Sequence, residues 1–355
     1  MTSSFKTPVT HQRATHDAPG TLTCTSPTQS PAPDHRDRSC IHRPSVLCHQ
    51  PRQTHLLDAE TAPWAYGERR HSGHEKVVLM LNDGPPDAWS DGDAYEAYVG
   101  RWSRLVARDF LAWLAPGDGL RWLDVGAGTG ALSAAAAAAV NPREVVGVDT
   151  SRRYVDDARR RVADPRVRFE QGDACALPYD GLFDAVVSGL MLNFVPDARS
   201  AVDSMTRAAT PGGLVAAYVW DYAGRMEFMR AFWDAAAVVD ASARDLDEGR
   251  RFPLCDPDRL AELWRAAGLQ SVETTALEVA TRFRDVDDFW APFLGGQGPA
   301  PAYLMSLPKP QRAAVRDAVR SSLPIAGDGS ISMIARAWAV KGHTPPSAAW
   351  RPGPG

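Results

Sequence analysis

From Leu120 to Trp220 the chain alternates short apolar runs with amphipathic stretches, and the first changeover is Asp124-Val125-Gly126-Ala127-Gly128-Thr129-Gly130. Strands are predicted at Leu120–Gly126, Glu144–Asp149, Val167–Gln171, Phe183–Ser188 and Leu214–Trp220. Helices are predicted between them at Gly130–Val140, Ser151–Ala163 and Ala198–Ala209. This alternation demands a parallel sheet covered by helices on both faces, whose buried strands read as nearly unbroken apolar runs. Leu214-Val215-Ala216-Ala217-Tyr218-Val219-Trp220 is such a run.

Beyond Trp220 the order changes. Met226–Val239, Pro257–Ala267, Val286–Phe293 and Gln311–Ser322 read as helices, and Val272–Phe283 and Ser330–Lys341 as long strands. The expected fold is therefore α/β: Rossmann-like and doubly wound, with a mostly parallel seven-stranded sheet, an antiparallel C-terminal hairpin and helical cap insertions. Ahead of the first strand, Tyr95, Val99, Trp102, Val106, Phe110 and Leu114 recur at helical spacing.

The organised domain is expected over residues 88–343. Residues 1–87 differ in kind. Eight of the nine histidines lie there, with Pro, Thr, Ser and Arg, and apolar periodicity is weak. Such a stretch buries too little surface to offset the entropy of ordering, so it reads as disordered. The abrupt change equally fits translation starting at Met80, with residues 1–79 not native. Cys40, His42, Cys48 and His49 cluster without finger-like spacing, so no metal site is expected. Residues 344–355, rich in Pro and Gly, read as a disordered tail.

The glycines suit a strand turning tightly into a helix, where the backbone must approach a ligand closely. Gly126, Gly128 and Ala131 also satisfy the relaxed dinucleotide pattern, and Asp149 ends the next strand as a ribose acid does. The loop alone thus leaves NAD and S-adenosylmethionine (SAM) both open. Three further features favour SAM: Asp124 before the first glycine, a third glycine at 130, and Asp173-Ala174 after the third strand.

With these, the chain resembles the class I SAM-dependent methyltransferases, in particular the bacterial small-molecule enzymes of ubiquinone and menaquinone biosynthesis. Asp124–Gly130, Val146–Asp149, Gly172–Ala174 and the Pro211-Gly212-Gly213 turn match the family's motifs. The resemblance implies that Asp124, Gly126, Ala127, Gly128 and Gly130 form the cofactor loop. It implies Asp149 on the ribose hydroxyls, Thr150 and Ser151 beside the adenine, and Asp173 with Ala174 at the adenine amino group. Ser188, Gly189 and Leu190 would flank the sulfonium. Tyr98 and Arg101 lie on a segment similar to the helix that covers the cofactor. Arg101 either pairs with the SAM carboxylate or lies as a surface arginine over Trp102.

The acceptor is expected to be a small organic molecule. Asn193, Trp220, Tyr222, Phe232 and Trp290 are the candidate substrate contacts, and Asp221 is the candidate base. The alternative for Phe232 and Trp290 is core under a cap. Leu294–Pro301 reads as a mobile loop. A net charge of −4 and the absence of a Pro-Pro-aromatic motif after the fourth strand argue against a nucleic-acid substrate. The chain has no apolar run of membrane-spanning length, and five cysteines without paired spacing point to a cytoplasmic protein. The competing readings are an NAD(P)-dependent oxidoreductase, for which no catalytic Tyr/Lys pair is found, and a non-catalytic SAM-binding protein.

Overall fold

The computed structural model describes residues 99–295 and 298–347. Seven strands form one sheet in the order β3-β2-β1-β4-β5-β7-β6. They are β1 (Arg121–Val125), β2 (Glu144–Asp149), β3 (Val167–Gln171), β4 (Phe183–Gly189), β5 (Ala209–Trp220), β6 (Gln270–Phe283) and β7 (Ile331–His343). β1 to β5 pair in parallel. β7 lies between β5 and β6 and runs antiparallel to both. β6 therefore points the same way as β1 to β5, and only β7 is reversed.

The helices follow from the apolar spacing. α1 (Arg101–Leu114), α2 (Ala131–Ala139) and α5 (Glu227–Val239) cover one face of the sheet, with Phe110, Ala136 and Phe228 buried. α4 (Ala198–Ala208) and α7 (Pro257–Ala266) cover the other, with Met205 and Trp264 buried. α3 (Arg152–Arg161) starts at Ser151, whose hydroxyl accepts the Tyr154 amide at 3.3 Å. That bond satisfies one of the amides a helix start leaves unpaired.

Three expectations needed correction. β5 begins five residues early, at Ala209, because Pro211-Gly212-Gly213 is absorbed into the strand beside a register shift opposite Phe183 and Ala185. The expected loop Leu294–Pro301 is structured at its two ends, where α8 (Val286–Trp290) continues as a 3-10 turn to Gly295 and α9 (Pro299–Ser306) opens with Pro299, Ala300 and Pro301 all buried, while Gly296 and Gln297 at its centre lie outside the described residues. Proline suits a helix start because its missing amide has no partner to lose there. Thr344, assigned to the tail, is buried; its amide donates to Gly213 O at 3.0 Å and its hydroxyl to Thr210 O at 2.6 Å. Residues 1–98 and 348–355, including the proposed extension and most of the tail, lie outside the described residues, as does Tyr98.

α6 (Glu248–Arg251) and α10 (Lys309–Ser322) complete the cap with α8 and α9.

Candidate active site

Open parallel sheets bind ligands beyond the carboxyl ends of their strands, where the strand order reverses. Here that point lies between β1 and β4, since β2 and β3 extend to one side and β5 to the other. A cavity of about 280 Å³ opens there.

One group of lining residues comes from the ends of β1, β2 and β3: Gly126, Gly128, Thr129, Val148, Asp149, Thr150, Ser151, Tyr154, Gly172, Asp173 and Ala174. The amides of Gly126 and Ala127 both donate to Val148 O, at 2.8 and 3.0 Å, which seats the glycine loop on the end of β2. Gly126 has a φ of +73°, and a Cβ there would stand 2.3 Å from Met191 Cγ. Gly128 has a φ of +54° with nothing within 4 Å of a notional Cβ; it faces open space. The first glycine is thus required by packing, and the second by backbone conformation and access.

Two acids stand on this wall. Asp149 accepts the Gly128 amide on Oδ2 and the Ser151 amide on Oδ1, each at 2.9 Å. A carboxylate oxygen has two lone pairs, so each retains one for a ligand. Burial pushes the Asp149 carboxyl up, against the pull of these two amides. Asp173 accepts the Cys175 amide on Oδ1 at 2.9 Å and so caps a short 3-10 turn.

The second group comes from the ends of β4 and β5 and the segments just after them, with Val99: Gly189, Leu190, Met191, Phe194, Val195, Pro196, Trp220 and Tyr222. This group is apolar and aromatic. Leu190 takes a φ of +64°, which turns the chain sharply after β4. Sequence reasoning missed Met191, Phe194, Val195 and Pro196. The available signal was an apolar segment directly after a parallel strand, at the edge where ligands bind.

A methyltransferase-domain family profile matches residues 123–213, from β1 into β5. A demethylmenaquinone methyltransferase of Deinococcus radiodurans is 30% identical over 185 residues, covering 48% of this chain and 74% of that protein. One of Symbiobacterium thermophilum is 31% identical over 223 residues, covering 53% and 85%. The chain belongs to the class I SAM-dependent methyltransferase family. Membership resolves the ambiguity of the glycine loop in favour of SAM. Other matches are shorter: a demethylmenaquinone methyltransferase of Clavibacter sepedonicus, 42% identical over 104 residues, is matched over only 42% of its length and 29% of this chain. The solved YcgJ protein of Bacillus subtilis aligns with 67% of this chain and 98% of its own, with 19% identity and a TM-score of 0.45.

In this methyltransferase several expected site residues stand off the cavity wall. Asp124 is buried beneath the loop, where Ser133 Oγ donates to its Oδ2 at 2.7 Å; Oδ1 has no partner, and burial pushes the carboxyl up to about 6. Ala127 contributes its amide and buries its methyl; Gly130 packs against Val162 on the α3 side. Ser188 is fully buried one residue before the wall begins. Asn193 turns toward Cys255 Sγ, 4.0 Å away.

Arg101 is stacked on Trp102 and Phe283, with ring centroids 4.4 and 4.8 Å from Cζ, and its Nη1 lies 3.6 Å from Asp288. The arginine over Trp102 is the reading this geometry matches. Phe232 lies flat on Phe293, with centroids 4.5 Å apart, and Trp290 is buried beside them. Both aromatics are core of the cap.

Asp221 is not placed as a base. It is 2% exposed. Its oxygens accept the amides of Gly224 and Arg225, each at 2.9 Å, and Arg336 reaches Oδ2 through Nε at 2.7 Å and Nη2 at 2.6 Å. It ties the turn after β5 to β7.

Proposed function

We propose that this protein transfers the SAM methyl group to a small, largely apolar acceptor held beside the cofactor. One observation carries the reading: a single cavity joins the paired Gly128 and Asp149, at the cofactor end, to the apolar wall of Leu190, Met191, Phe194, Trp220 and Tyr222.

The residues fit the cofactor. Gly126 and Gly128 present bare backbone, and Asp149 keeps acceptor capacity on both oxygens for two ribose hydroxyls. Thr150, Ser151, Asp173 and Ala174 line the place assigned to the adenine, and Gly189 and Leu190 that of the sulfonium. Bound SAM supplies an activated methyl on sulfur. What this chain contributes is alignment of the acceptor and exclusion of water by the apolar wall. Among the described residues of that wall, the titratable side chain is the Tyr222 phenol. The mechanism is therefore chiefly positional.

The relatives named demethylmenaquinone methyltransferases favour an aromatic quinol as acceptor, and the aromatic wall suits one. A protein acting on such a small molecule needs no nucleic-acid partner. No described helix is long and apolar enough to cross a membrane; we place the enzyme in the cytoplasm, with a catalytic domain that starts near residue 88 and runs through Thr344.

Calorimetric titration with SAM, S-adenosylhomocysteine (SAH) and NAD tests the cofactor; binding of NAD but of neither sulfur compound refutes the reading. Labelled-methyl transfer to 1,4-naphthoquinol, kept reduced under anaerobic conditions, tests the acceptor class.

A further inference from the structure

The acceptor wall has its own support, separate from the cofactor loop. Arg230, on α5, makes a two-point fork with Asp247: Nη1 to Oδ1 at 2.9 Å and Nη2 to Oδ2 at 2.7 Å. Both side chains are largely buried, at 18% and 11% exposure. The same Nη1 donates to the backbone carbonyl of Tyr222 at 3.1 Å. Asp247 Oδ1 also accepts the Gly249 amide at 2.9 Å, which caps α6. Glu248 accepts the Trp233 indole N–H, pinning α6 to α5 a second time. Gly249 has no space for a side chain: a Cβ would lie 2.6 Å from both Arg230 Nη1 and Tyr222 O.

α6 delivers Phe252 to the rear of the wall. The rings of Phe252, Phe194 and Tyr222 meet edge to face, with centroids 5.1 to 6.5 Å apart. Phe194 and Tyr222 line the cavity. Just beyond, Cys255 Sγ donates to Trp220 O at 3.4 Å. The chain Arg230–Asp247–α6–Phe252 therefore ends on cavity-lining aromatics. The hydrogen bonds that hold the cofactor acid Asp149 run instead to Gly128 and Ser151.

We propose that Arg230, through Asp247, is a positioning residue that sets the Tyr222–Phe194 wall and thereby acceptor affinity, leaving cofactor affinity unaltered. A forked guanidinium suits the task because one rigid plane fixes the carboxylate and the carbonyl together, which a lysine ammonium does not. The assignment rests on the reading of this wall as the acceptor side.

The test compares Arg230→Met, Arg230→Lys and Asp247→Asn with the unaltered full chain. SAH affinity by calorimetry should stay within about twofold, while KM for 1,4-naphthoquinol rises about tenfold or more at nearly constant kcat. Hydrogen exchange of the SAH complex should quicken about tenfold over residues 220–225, with residues 126–151 unchanged. Arg230→Lys should fall between the wild type and Arg230→Met, and it guards against misfolding of the latter. A parallel loss of SAH affinity, or unchanged exchange over residues 220–225, overturns the proposal. If wild-type protein leaves 1,4-naphthoquinol unmethylated, the quinol reading falls, and the exchange arm still decides the positioning role.

Discussion

The Gly128 amide donates to Asp149 Oδ2 at 2.9 Å. This bond joins the turn after β1 to the acid that ends β2, so the part of the loop facing the cavity and the proposed ribose acceptor form one unit. Replacing Asp149 by Ala removes two amide acceptors as well as the ligand contact. SAM affinity should fall by on the order of 1–3 kcal/mol, the range for a lost charged hydrogen bond. Calorimetry reads this directly, and unchanged affinity would refute the assigned role.

The two cavity glycines should respond differently to alanine. At Gly126 the new methyl meets Met191 Cβ and Cγ within 2.6 Å and the φ is +73°. Gly126→Ala should cost about 1–3 kcal/mol of folding stability from the backbone conformation alone. At Gly128 a Cβ has free space within the protein. Gly128→Ala should therefore lose less stability than Gly126→Ala, and show its larger effect on SAM affinity. Urea unfolding paired with calorimetry separates the two; equal stability losses would contradict the packing argument.

Asp221→Asn tests a structural role against a catalytic one. The substitution leaves Arg336 facing a neutral amide in a largely buried site, and breaking such a pair costs about 3 kcal/mol. The midpoint of urea unfolding should drop, while the pH profile of methyl transfer keeps its shape. A lost acidic limb in that profile, with stability intact, would restore Asp221 as a base.

Glu248 makes stability depend on pH. It is 1% exposed, and burial beside Asp247 pushes its carboxyl up from 4.5 to about 8, against the Trp233 N–H bond and the nearby Arg251 charge. In the unfolded chain the group ionises near its ordinary value, whereas the folded chain holds the proton much longer. Its contribution is thus present at low pH, declines as pH rises above 4.5, and levels off past about 8. Asp124, pushed up to about 6, acts in the same direction but is spent by then. Urea midpoints between about pH 6.5 and 8 should fall in the wild type and change less in Glu248→Gln. Equal slopes in the two proteins would show that Glu248 titrates normally.

The half of the cavity proposed to hold the cofactor was legible because its chemistry is local. Gly126, Gly128, Asp149, Asp173 and Ala174 each sit at a strand-to-helix turn, and strand ends are readable from the period of apolar residues alone. β2 and β3 have their expected bounds, at Glu144–Asp149 and Val167–Gln171. The half proposed to hold the acceptor was read less well. Phe232 and Trp290 have the composition of a binding wall, but their rings are spent on the cap core. Phe194 and Tyr222 line the cavity, and their ring partner Phe252 comes from a later segment. Leu294–Pro301 looked mobile because Gly and Pro are frequent there, whereas Pro299 starts a packed helix.

By itself the sequence determined the doubly wound α/β class, the glycine loop and the acids that end β2 and follow β3. Those features depend on residues within a few positions of one another, where backbone preference and apolar period decide. Only the tertiary structure decided that Asp221 is bound to Arg336, 115 residues away, that Arg101 lies against Phe283, and that Arg230 reaches the Tyr222 carbonyl. A charged or aromatic side chain can cap a turn, fill a core or meet a ligand with the same local sequence around it. Which of these it does is set by the partners that long-range packing brings within a few ångströms.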